Sequence, residues 1–353
     1  MAGKRPRSAS SVIEFLFLPG LNEVVSGELQ DRLPGLEQLR AVPGRSDSLV
    51  ADYRGDWRRL LELRTIVAPF VVLTFGVPRP RSLTSSEYFP AILAAIEQVE
   101  RANGEPAETF RIDAAGADSA GFRQLAAHIE DSTGLPEVAE HGDLLLRFRR
   151  AAGGDGWDVL IRISFRSLSS RSWRVRNLPG AANATIAAAM AAMMSPAPGD
   201  RVVNLMAGSG TLLIERLLLV PARSAMAVDV DEKALEMCEE NLDAAGLRGR
   251  ARLVHCDIAD EEWARGGPFN VIMADPPWGT LMGEHESNAA LHSLLLQRAH
   301  AAAAAGARLA VLTHEIRVME NCLRQAADLW SRREVVRVFQ KGHNPRIYLL
   351  EKL

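Results

Sequence analysis

The residues whose types and spacing best fit a chemical step are Asp275-Pro276-Pro277-Trp278, directly after the apolar run Phe269–Ala274. Consecutive prolines continue neither a strand ladder nor a helix, so the pattern predicts a buried strand ending in a stiff turn. The Asp275 carboxylate and the Pro276 carbonyl offer two acceptors, and Trp278 offers a flat face for a base. Acceptors that hold the hydrogens of an exocyclic amine aim its lone pair at an electrophile. The alternative is a rigid loop with an incidental tryptophan.

A glycine-containing loop lies between the apolar run Arg201–Leu205 and the helical pattern Thr211–Leu219. Glycine lets a backbone approach a ligand closely, and the helix start supplies free N–H groups. A Gly-Lys-Ser/Thr sequence is missing, which disfavours a phosphate-binding P-loop. A purely structural turn is the alternative. The candidate cofactor-binding residues here are Asn204, Met206, Ala207, Gly208, Ser209, Gly210 and Thr211.

Acidic residues follow the next predicted strands. Asp229 ends the run Ser224–Asp229, where a carboxylate can accept hydrogen bonds from ribose hydroxyls. Asp257 follows the run Ala251–Cys256, where an acid can accept from an adenine amine. Asp275 joins this set because its strand should end at the same edge of the sheet. The alternatives are a helix N-cap, which suits Asp231 better than Asp229, and an ordinary loop carboxylate.

The elements that must position these residues alternate between strand and helix from residue 201 onward. This alternation predicts an α/β, Rossmann-like domain with a parallel sheet covered by helices on both faces. Only six residues separate the last two predicted strands, 335–340 and 347–351, so those strands must form an antiparallel hairpin. The result is a seven-stranded, mainly parallel sheet with an antiparallel terminal hairpin. That shape resembles the class I S-adenosylmethionine (SAM) methyltransferases.

The N-terminal half predicts α+β units. We expect a ferredoxin-like domain over residues 1–80, a second small domain over 81–166, a linker over 167–180 and the catalytic domain over 181–353. The second unit combines two helical patterns with three strand patterns, the last two of which are separated by a Gly-Gly-Asp-Gly turn.

Composition excludes several classes of protein. The chain has 353 residues, three cysteines and a formal net charge of −3. The cysteines lack metal-ligand spacing, so neither a disulfide scaffold nor a metal is expected, and reduced thiols favour a cytoplasmic location. No apolar run reaches the length that a membrane span needs, so no membrane contact is expected.

The glycine loop and the Asp275–Gly279 turn together resemble the THUMP-domain RNA guanine-N2 methyltransferases, which include tRNA enzymes of the TrmN/Trm14 type. The resemblance is strongest over residues 171–353. In residues 87–166 the segment Thr109-Phe110-Arg111-Ile112 resembles a THUMP module, and Leu18–Glu23 resembles the opening of the family's ferredoxin-like domain. The sequence departs from the family at Asn204, which replaces an acid, at Ala207, which replaces a frequent cysteine, and at Trp278, which replaces Tyr or Phe.

The resemblance implies a monomeric enzyme that transfers a methyl group from SAM to N2 of a guanosine in structured RNA, most simply tRNA. It implies that Asp275, Pro276, Pro277 and Trp278 are catalytic. The alternatives are a ribosomal-RNA guanine-N2 enzyme, an adenine-N6 methyltransferase, and a non-catalytic RNA-binding protein with a decayed SAM site.

An RNA surface is predicted where arginine is concentrated. Residues 147–176 contain eight arginines and two aspartates, with Trp157, Phe165 and Trp173 interleaved. Basic stretches with aromatic residues are typical of surfaces that follow a phosphate backbone. A solvated strand face is the alternative. The predicted RNA-binding residues are Arg111, Arg147, Arg149, Arg166, Arg171, Arg174, Arg176, Lys341, His343 and Arg346.

Overall fold

The computed structural model describes residues 10–152, 154–277, 285–340, 342 and 344–353. The chain forms two compact units. The first consists of residues 1–17 and 25–168, and the second of residues 18–24 and 169–353. The short segment 18–24 therefore belongs to the second unit, although it is far from the rest of that unit in sequence.

The first unit contains one seven-stranded sheet and three α-helices. The strands are β1 Ser11–Leu16, β2 Leu36–Ala41, β3 Ser48–Tyr53, β4 Ala68–Phe75, β5 Phe110–Ala114, β6 Leu144–Arg150 and β7 Trp157–Arg162. The helices are α1 Asn22–Arg32, which begins in the segment assigned to the second unit, α2 Phe89–Asn103 and α3 Ala120–Thr133. Helices α2 and α3 are amphipathic and bury one apolar face each.

Strand order in the first unit is β2-β3-β1-β4-β7-β6-β5. The first four strands have the order of a ferredoxin-like sheet. Antiparallel pairing of β4 with β7, from Phe70 opposite Arg162 to Phe75 opposite Trp157, joins them to the remaining strands. Strands from both predicted N-terminal domains, residues 1–80 and 81–166, therefore form one continuous sheet.

The second unit also has seven strands. They are β8 Arg201–Leu205, β9 Ser224–Asp229, β10 Arg252–His255, β11 Phe269–Ala274, β12 Ala303–Thr313, β13 Trp330–Arg337 and β14 Arg346–Lys352. The helices are α4 Ala184–Met193, α5 Thr211–Leu219, α6 Glu232–Ala244, α7 His285–Ala302 and α8 Ile316–Gln325.

The second sheet has the order β10-β9-β8-β11-β12-β14-β13. Its first five strands are parallel, and β14 lies antiparallel between β12 and β13. The predicted α/β fold, with a mainly parallel sheet that ends in an antiparallel hairpin, is confirmed. Strands β8 and β11 are neighbours near its centre, and because they are parallel their carboxyl ends meet at one edge.

The core of this sheet is apolar. Val203, Ile272, Leu309 and Tyr348 are fully buried in one cluster with the inner face of α7. Burial of the central strands on both sides is what fixes the position of the loops that follow them. Among the described residues, no helix has both the length and the apolar character needed to cross a bilayer.

Candidate cofactor and active site

The loop after β8 turns sharply between strand and helix. Met206, Gly208 and Gly210 all have positive φ, of 52°, 53° and 84°. The Ala207 N–H donates to the Val228 carbonyl at 3.0 Å, and the Gly210 N–H donates to the Ala207 carbonyl at 2.9 Å. A Cβ atom added at Gly210 would lie 2.4 Å from Cys238 Sγ. Glycine is therefore required here both by backbone conformation and by close packing against α6.

Asp229, at the end of β9, is held by this loop. Its Oδ2 accepts from the Gly208 N–H at 2.7 Å, and its Oδ1 accepts from the Asp231 N–H at 2.9 Å. Two backbone donors fix the carboxylate plane, and each oxygen has a second lone pair that can accept from a ligand. The helix N-cap is Asp231, whose side chain accepts from the Lys233 N–H, so Asp229 is not used as the cap.

A cavity of about 570 Å³ opens at the carboxyl ends of these strands, within the volume range of small-molecule sites. Apolar side chains and three carboxylates line it. The lining residues are Leu178, Pro179, Gly180, Ala181, Ala182, Met206, Ala207, Gly208, Ser209, Thr211, Leu212, Asp229, Val230, Asp257, Ile258, Asp275, Pro276, Pro277 and Leu291.

The structure brings Asp275, Pro276 and Pro277 to the wall of this cavity. Asp275 is half-buried directly after β11, and Pro276 is buried. Since β11 pairs with β8 up to Ala274 opposite Leu205, the proline turn and the glycine loop start at the same level of the sheet. Trp278, the fourth residue of the predicted catalytic set, lies outside the described residues.

Asp257 also lines the cavity, beside Ile258. Its Oδ1 accepts from the Ala259 N–H at 2.8 Å, so the carboxylate also stabilises its own loop. The loop role and a ligand contact are compatible, because the side chain is exposed and each carboxylate oxygen has two lone pairs.

Asn204 is a correction to the predicted cofactor set. Its side chain is 0% exposed, and its Nδ2 donates to the Leu205 and Met273 carbonyls at 3.2 Å. The amide thus reaches across from β8 to the neighbouring strand β11, behind the cavity wall. Asn204 is not among the residues that line the cavity, so its amide serves to connect the two strands of the sheet.

The wall formed by residues 178–182 was missed from the sequence, where this segment was interpreted mainly as a linker. Gly208 faces it closely, since an added Cβ would lie 3.1 Å from Leu178 Cδ2. Just before it, the Arg176 N–H donates to Asn241 Oδ1 at 2.9 Å, while Asn241 Nδ2 donates to the Arg176 and Ser209 carbonyls. The one sequence signal was the run Pro179-Gly180-Ala181-Ala182, whose small side chains leave room for a ligand beside the backbone. Val230, Ile258 and Leu291 were also missed.

In the first unit, two predicted RNA contacts are engaged internally. Arg149 Nη2 lies 2.7 Å from Glu14 Oε2, and its Nε lies 3.2 Å from Asp158 Oδ2. Arg147 Nε lies 2.8 Å from Asp113 Oδ2. The charges of these two arginines are therefore balanced, in part by the distant acids Glu14 and Asp113. Arg166 is exposed and Arg111 is half-buried.

In the second unit, Arg171 and Arg174 are corrections. The Arg171 side chain is 7% exposed and pairs at 2.8 Å with the buried carboxylate of Glu215. Burial lowers the pKa of Arg174, which donates to acceptors inside the unit. Arg176 is partly exposed and pairs with Glu240. Arg346 is half-buried near Glu320, and Lys341 and His343 lie outside the described residues.

The cavity fits SAM. The anchored Asp229 carboxylate matches a ribose, the apolar side chains of Val230 and Ile258 suit the faces of an adenine ring, and Ser209 Oγ is buried without a hydrogen-bond partner among the described residues. Within the same residues, no three His, Cys, Asp or Glu side chains are grouped so as to hold a metal ion. Strand order and cavity together define a class I SAM-dependent methyltransferase.

Residues 171–346 match the family model UPF0020, RMKL-like, methyltransferase domain. A tRNA (guanine(6)-N2)-methyltransferase of Thermus thermophilus is 28% identical over 257 residues, which are 70% of this chain and 74% of that protein. The rRNA N(6)-adenosine-methyltransferase metl-5 of Caenorhabditis elegans is 31% identical over 83 residues, 23% of this chain and 39% of that protein.

The crystal structure of TrmN from Thermus thermophilus is similar over nearly the full length. It has a TM-score of 0.75 and 24% identity, and the match covers 97% of this chain and 100% of that one. The similarity shows that the two proteins share a fold across both units. The predictions of a methyltransferase and of SAM as its methyl donor are confirmed.

Proposed function

We propose that this protein transfers the methyl group of SAM to the exocyclic N2 of a guanosine in tRNA. The observation that carries the proposal is the position of Asp275 and Pro276 on the wall of the SAM cavity, directly after β11. The 28% identity to a tRNA (guanine(6)-N2)-methyltransferase over most of both chains supports this choice of base and RNA.

SAM supplies an electrophilic methyl group when it is bound, and the chain's residues hold and orient the acceptor. The Asp275 carboxylate and the Pro276 carbonyl accept from the two hydrogens of the guanine amine. Such a grip draws the nitrogen toward tetrahedral geometry and directs its lone pair at the methyl carbon. Positioning of this kind supplies a large part of the rate of a two-substrate reaction.

The proton released by the amine leaves through Asp275 or to water. Trp278 follows Pro277 directly in sequence, and we propose that its ring stacks on a base turned out of its helix. We also propose that a THUMP-like part of the first unit binds the RNA and that the enzyme acts as a monomer in the cytoplasm.

The test is an Asp275→Asn variant, which keeps the shape of the side chain and removes its charge. We expect loss of methyl transfer by roughly 10²-fold or more, as is typical when a group that handles a proton or charge in the reaction is removed. Radioactive methyl transfer from labelled SAM to unfractionated tRNA and rRNA, followed by nucleoside analysis, measures both rate and product. Calorimetry should show that the variant still binds SAM.

Asp260→Asn is the matched control, because Asp260 is an exposed carboxylate of the same unit and does not line the cavity. Near-normal methylation by a further variant, Asp275→Ala, which removes the acceptor oxygens as well as the charge, would refute the assignment of the catalytic turn. N2-methylguanosine found only in rRNA, or N6-methyladenosine as the product, would replace the proposed substrate by one of the alternatives. Failure of the wild-type protein to take up SAM would favour a non-catalytic RNA-binding protein.

A further inference from the structure

A second concave surface of the methyltransferase unit lies on the terminal hairpin. It is a shallow groove of about 510 Å³. Four arginines and two glutamates dominate its lining, which consists of Glu320, Arg332, Arg333, Glu334, Val335, Arg337 and Arg346. We call it the hairpin groove. Of these residues, the sequence analysis predicts only Arg346 to contact RNA.

The carboxylate of Glu320 is already engaged. It accepts from Arg332 Nη1 at 3.0 Å and from the Tyr348 hydroxyl at 3.1 Å, and Arg346 Nη1 lies 3.5 Å away. Burial, together with the charge of Glu320, raises the pKa of Tyr348 to about 12, which keeps that hydroxyl a donor at neutral pH. One carboxylate therefore serves two guanidinium groups. Arg333 in turn pairs with Glu351, so the positive charge that is left in the lining is concentrated at Arg337.

Arg337 is the least compensated of these cations. It lies directly opposite Arg346 in the antiparallel ladder, an arrangement that is unfavourable for like charges. Among the ion pairs of the described residues, none involves Arg337. Its guanidinium carbon instead lies 4.5 Å from the centroid of the Phe339 ring, and Phe339 is 43% exposed.

The backbone that carries this pair is held firmly. The Phe339 N–H donates to the Pro19 carbonyl at 3.0 Å, and the Val338 N–H donates to the Pro345 carbonyl at 3.0 Å. Val338 itself is fully buried. Gly20, at φ +100°, passes so close that an added Cβ would lie 1.9 Å from the Arg337 carbonyl oxygen. The exposed arginine and aromatic ring are thus presented on a fixed support rather than on a free loop tip.

The end of the hairpin groove that holds Arg337 and Arg346 lies at the carboxyl edge of the sheet, which is also the edge of the active site. Arg346 pairs with Thr313 at the end of β12, and β12 pairs with β11 up to Ala274, the residue before Asp275. Neighbouring strands are about 4.8 Å apart, and β13 is the third strand from β11 in the sheet. Arg337 therefore lies about 15 Å across the sheet from the end of β11, where Asp275 follows. An RNA strand of a few nucleotides covers this distance.

We propose that the hairpin groove binds the ribose-phosphate backbone of the substrate RNA a few nucleotides from the methylated base. Arg337 contacts a phosphate, and Phe339 stacks on an unpaired base beside it. An exposed aromatic ring next to an arginine without an ion pair among the described residues favours single-stranded or looped RNA over an acidic protein segment, because bases stack on such rings and carboxylates do not. The inference rests on the proposed function for the nature of the RNA.

The experiment compares the full-length wild-type protein with Arg337→Gln and Phe339→Leu in filter binding to tRNA, without SAM, over a series of salt concentrations. For Arg337→Gln we expect roughly tenfold weaker binding at low salt and a slope of log K against log salt reduced by about one. Phe339→Leu keeps an apolar side chain, so we expect about fivefold weaker binding or more with an unchanged slope.

Arg248→Gln is the matched control. Arg248 is an arginine of the same unit with a side chain that is 83% exposed, and it pairs with Asp243 outside the groove. Its loss should leave both affinity and slope unchanged. SAM affinity within twofold of the wild-type value shows that each variant is folded.

Wild-type RNA affinity and slope in both groove variants would overturn the inference, and that result is also the one expected if the groove binds an acidic protein. Equal weakening by Arg248→Gln would overturn it as well, because the effect would then be one of net charge. Since RNA binding is read without turnover, the groove is tested even if no N2-methylguanosine is formed. The absence of N2-methylguanosine from the reaction products would overturn the proposed function instead.

Discussion

Arg174 and Thr211 are joined by a hydrogen bond of 2.9 Å from the guanidinium Nη2 to the hydroxyl Oγ1. The same nitrogen donates to the Ala182 carbonyl at 2.9 Å. Thr211 begins α5 after the glycine loop, and Ala182 belongs to the wall formed by residues 178–182. One half-buried cation therefore connects two sides of the SAM cavity, and it does so from a residue that the sequence analysis predicts to bind RNA.

Arg174→Lys should weaken SAM binding by roughly tenfold, because an ammonium group on a flexible stem does not reproduce the planar geometry of a guanidinium. Isothermal calorimetry with SAM measures the change. Arg176→Lys is the control, since Arg176 forms a partly exposed pair with Glu240 and does not line the cavity. Unchanged SAM affinity in Arg174→Lys would show that the wall stays in place without this contact.

Gly210→Ala should lower the free energy of unfolding by about 2–4 kcal/mol, the combined cost of a left-handed alanine and of overpacking against Cys238. Gly246→Ala is the control, because Gly246 has φ +71° and an added Cβ there meets nothing within 4 Å. Urea denaturation should show a loss of only about 1 kcal/mol in this control. The double variant Gly210→Ala/Cys238→Ala should recover part of the loss. Equal losses in the two glycine variants would rule out the steric contribution.

Glu14→Gln should destabilise the first unit by about 3 kcal/mol. The Glu14 side chain is 2% exposed and lies 2.9 Å from Arg45 Nη1 and 2.7 Å from Arg149 Nη2. Removing its charge takes away the buried carboxylate that Arg45 and Arg149 share, although Arg45 keeps its pair with Asp47 and Arg149 keeps its pair with Asp158. Thermal unfolding measures the change, with Glu37→Gln as the control for an exposed pair worth under about 1 kcal/mol. A similar loss from both variants would contradict this view of Glu14.

Stability of the methyltransferase unit should fall as the pH drops below about 6.5, because burial lowers the pKa of His292 from its usual 6.5. In the folded state Nδ1 lies 2.8 Å from the Asn288 carbonyl oxygen, to which it donates, and Nε2 lies 3.1 Å from the Thr313 hydroxyl, which can donate to a neutral ring. The unfolded chain takes up a proton near pH 6.5 that the folded chain does not, so acid favours unfolding.

Melting temperatures from pH 7.5 to 5.5 test this dependence. His292→Gln should be less stable at pH 7.5 but should lose less stability on acidification than the wild-type protein. His141→Gln is the control, because its side chain is almost fully exposed. Parallel curves for wild type and His292→Gln would assign the pH dependence to other groups.

Most of the catalytic edge could be predicted because its signals are local. Gly208 and Gly210, Asp229 and Asp275-Pro276-Pro277 each follow an apolar run directly, and strands of a parallel sheet end at one edge. The wall at 178–182 had no such signal, since it precedes β8 and reaches the cavity only through tertiary contacts. Asn204 was predicted to bind the cofactor and does not line the cavity. Its position in the motif suggested a ligand contact, but such a position does not reveal which way a buried amide points.

The predictions for Arg171 and Arg174 in the arginine-rich stretch were wrong for a related reason. Counting charges over residues 147–176 does not include Glu14, which is 135 residues before Arg149, or Glu215, which is 44 residues after Arg171. The pairing of β4 with β7 was likewise beyond local patterns, because 82 or more residues separate the paired positions and no turn signal connects them. Arg337 and Phe339 were not predicted to bind RNA, because they lie outside residues 147–176, the segment over which the charges were counted.

The assignment of residues 18–24 to the methyltransferase unit has a practical consequence for dissecting the protein. The unit is built from two separate stretches of chain, and the Pro19 carbonyl holds Phe339 in place. A single protease cut between residues 168 and 169 would therefore not release the catalytic unit intact. The piece that starts at residue 169 would lack part of its own support beneath the hairpin, and limited proteolysis would divide one folding unit rather than separate two.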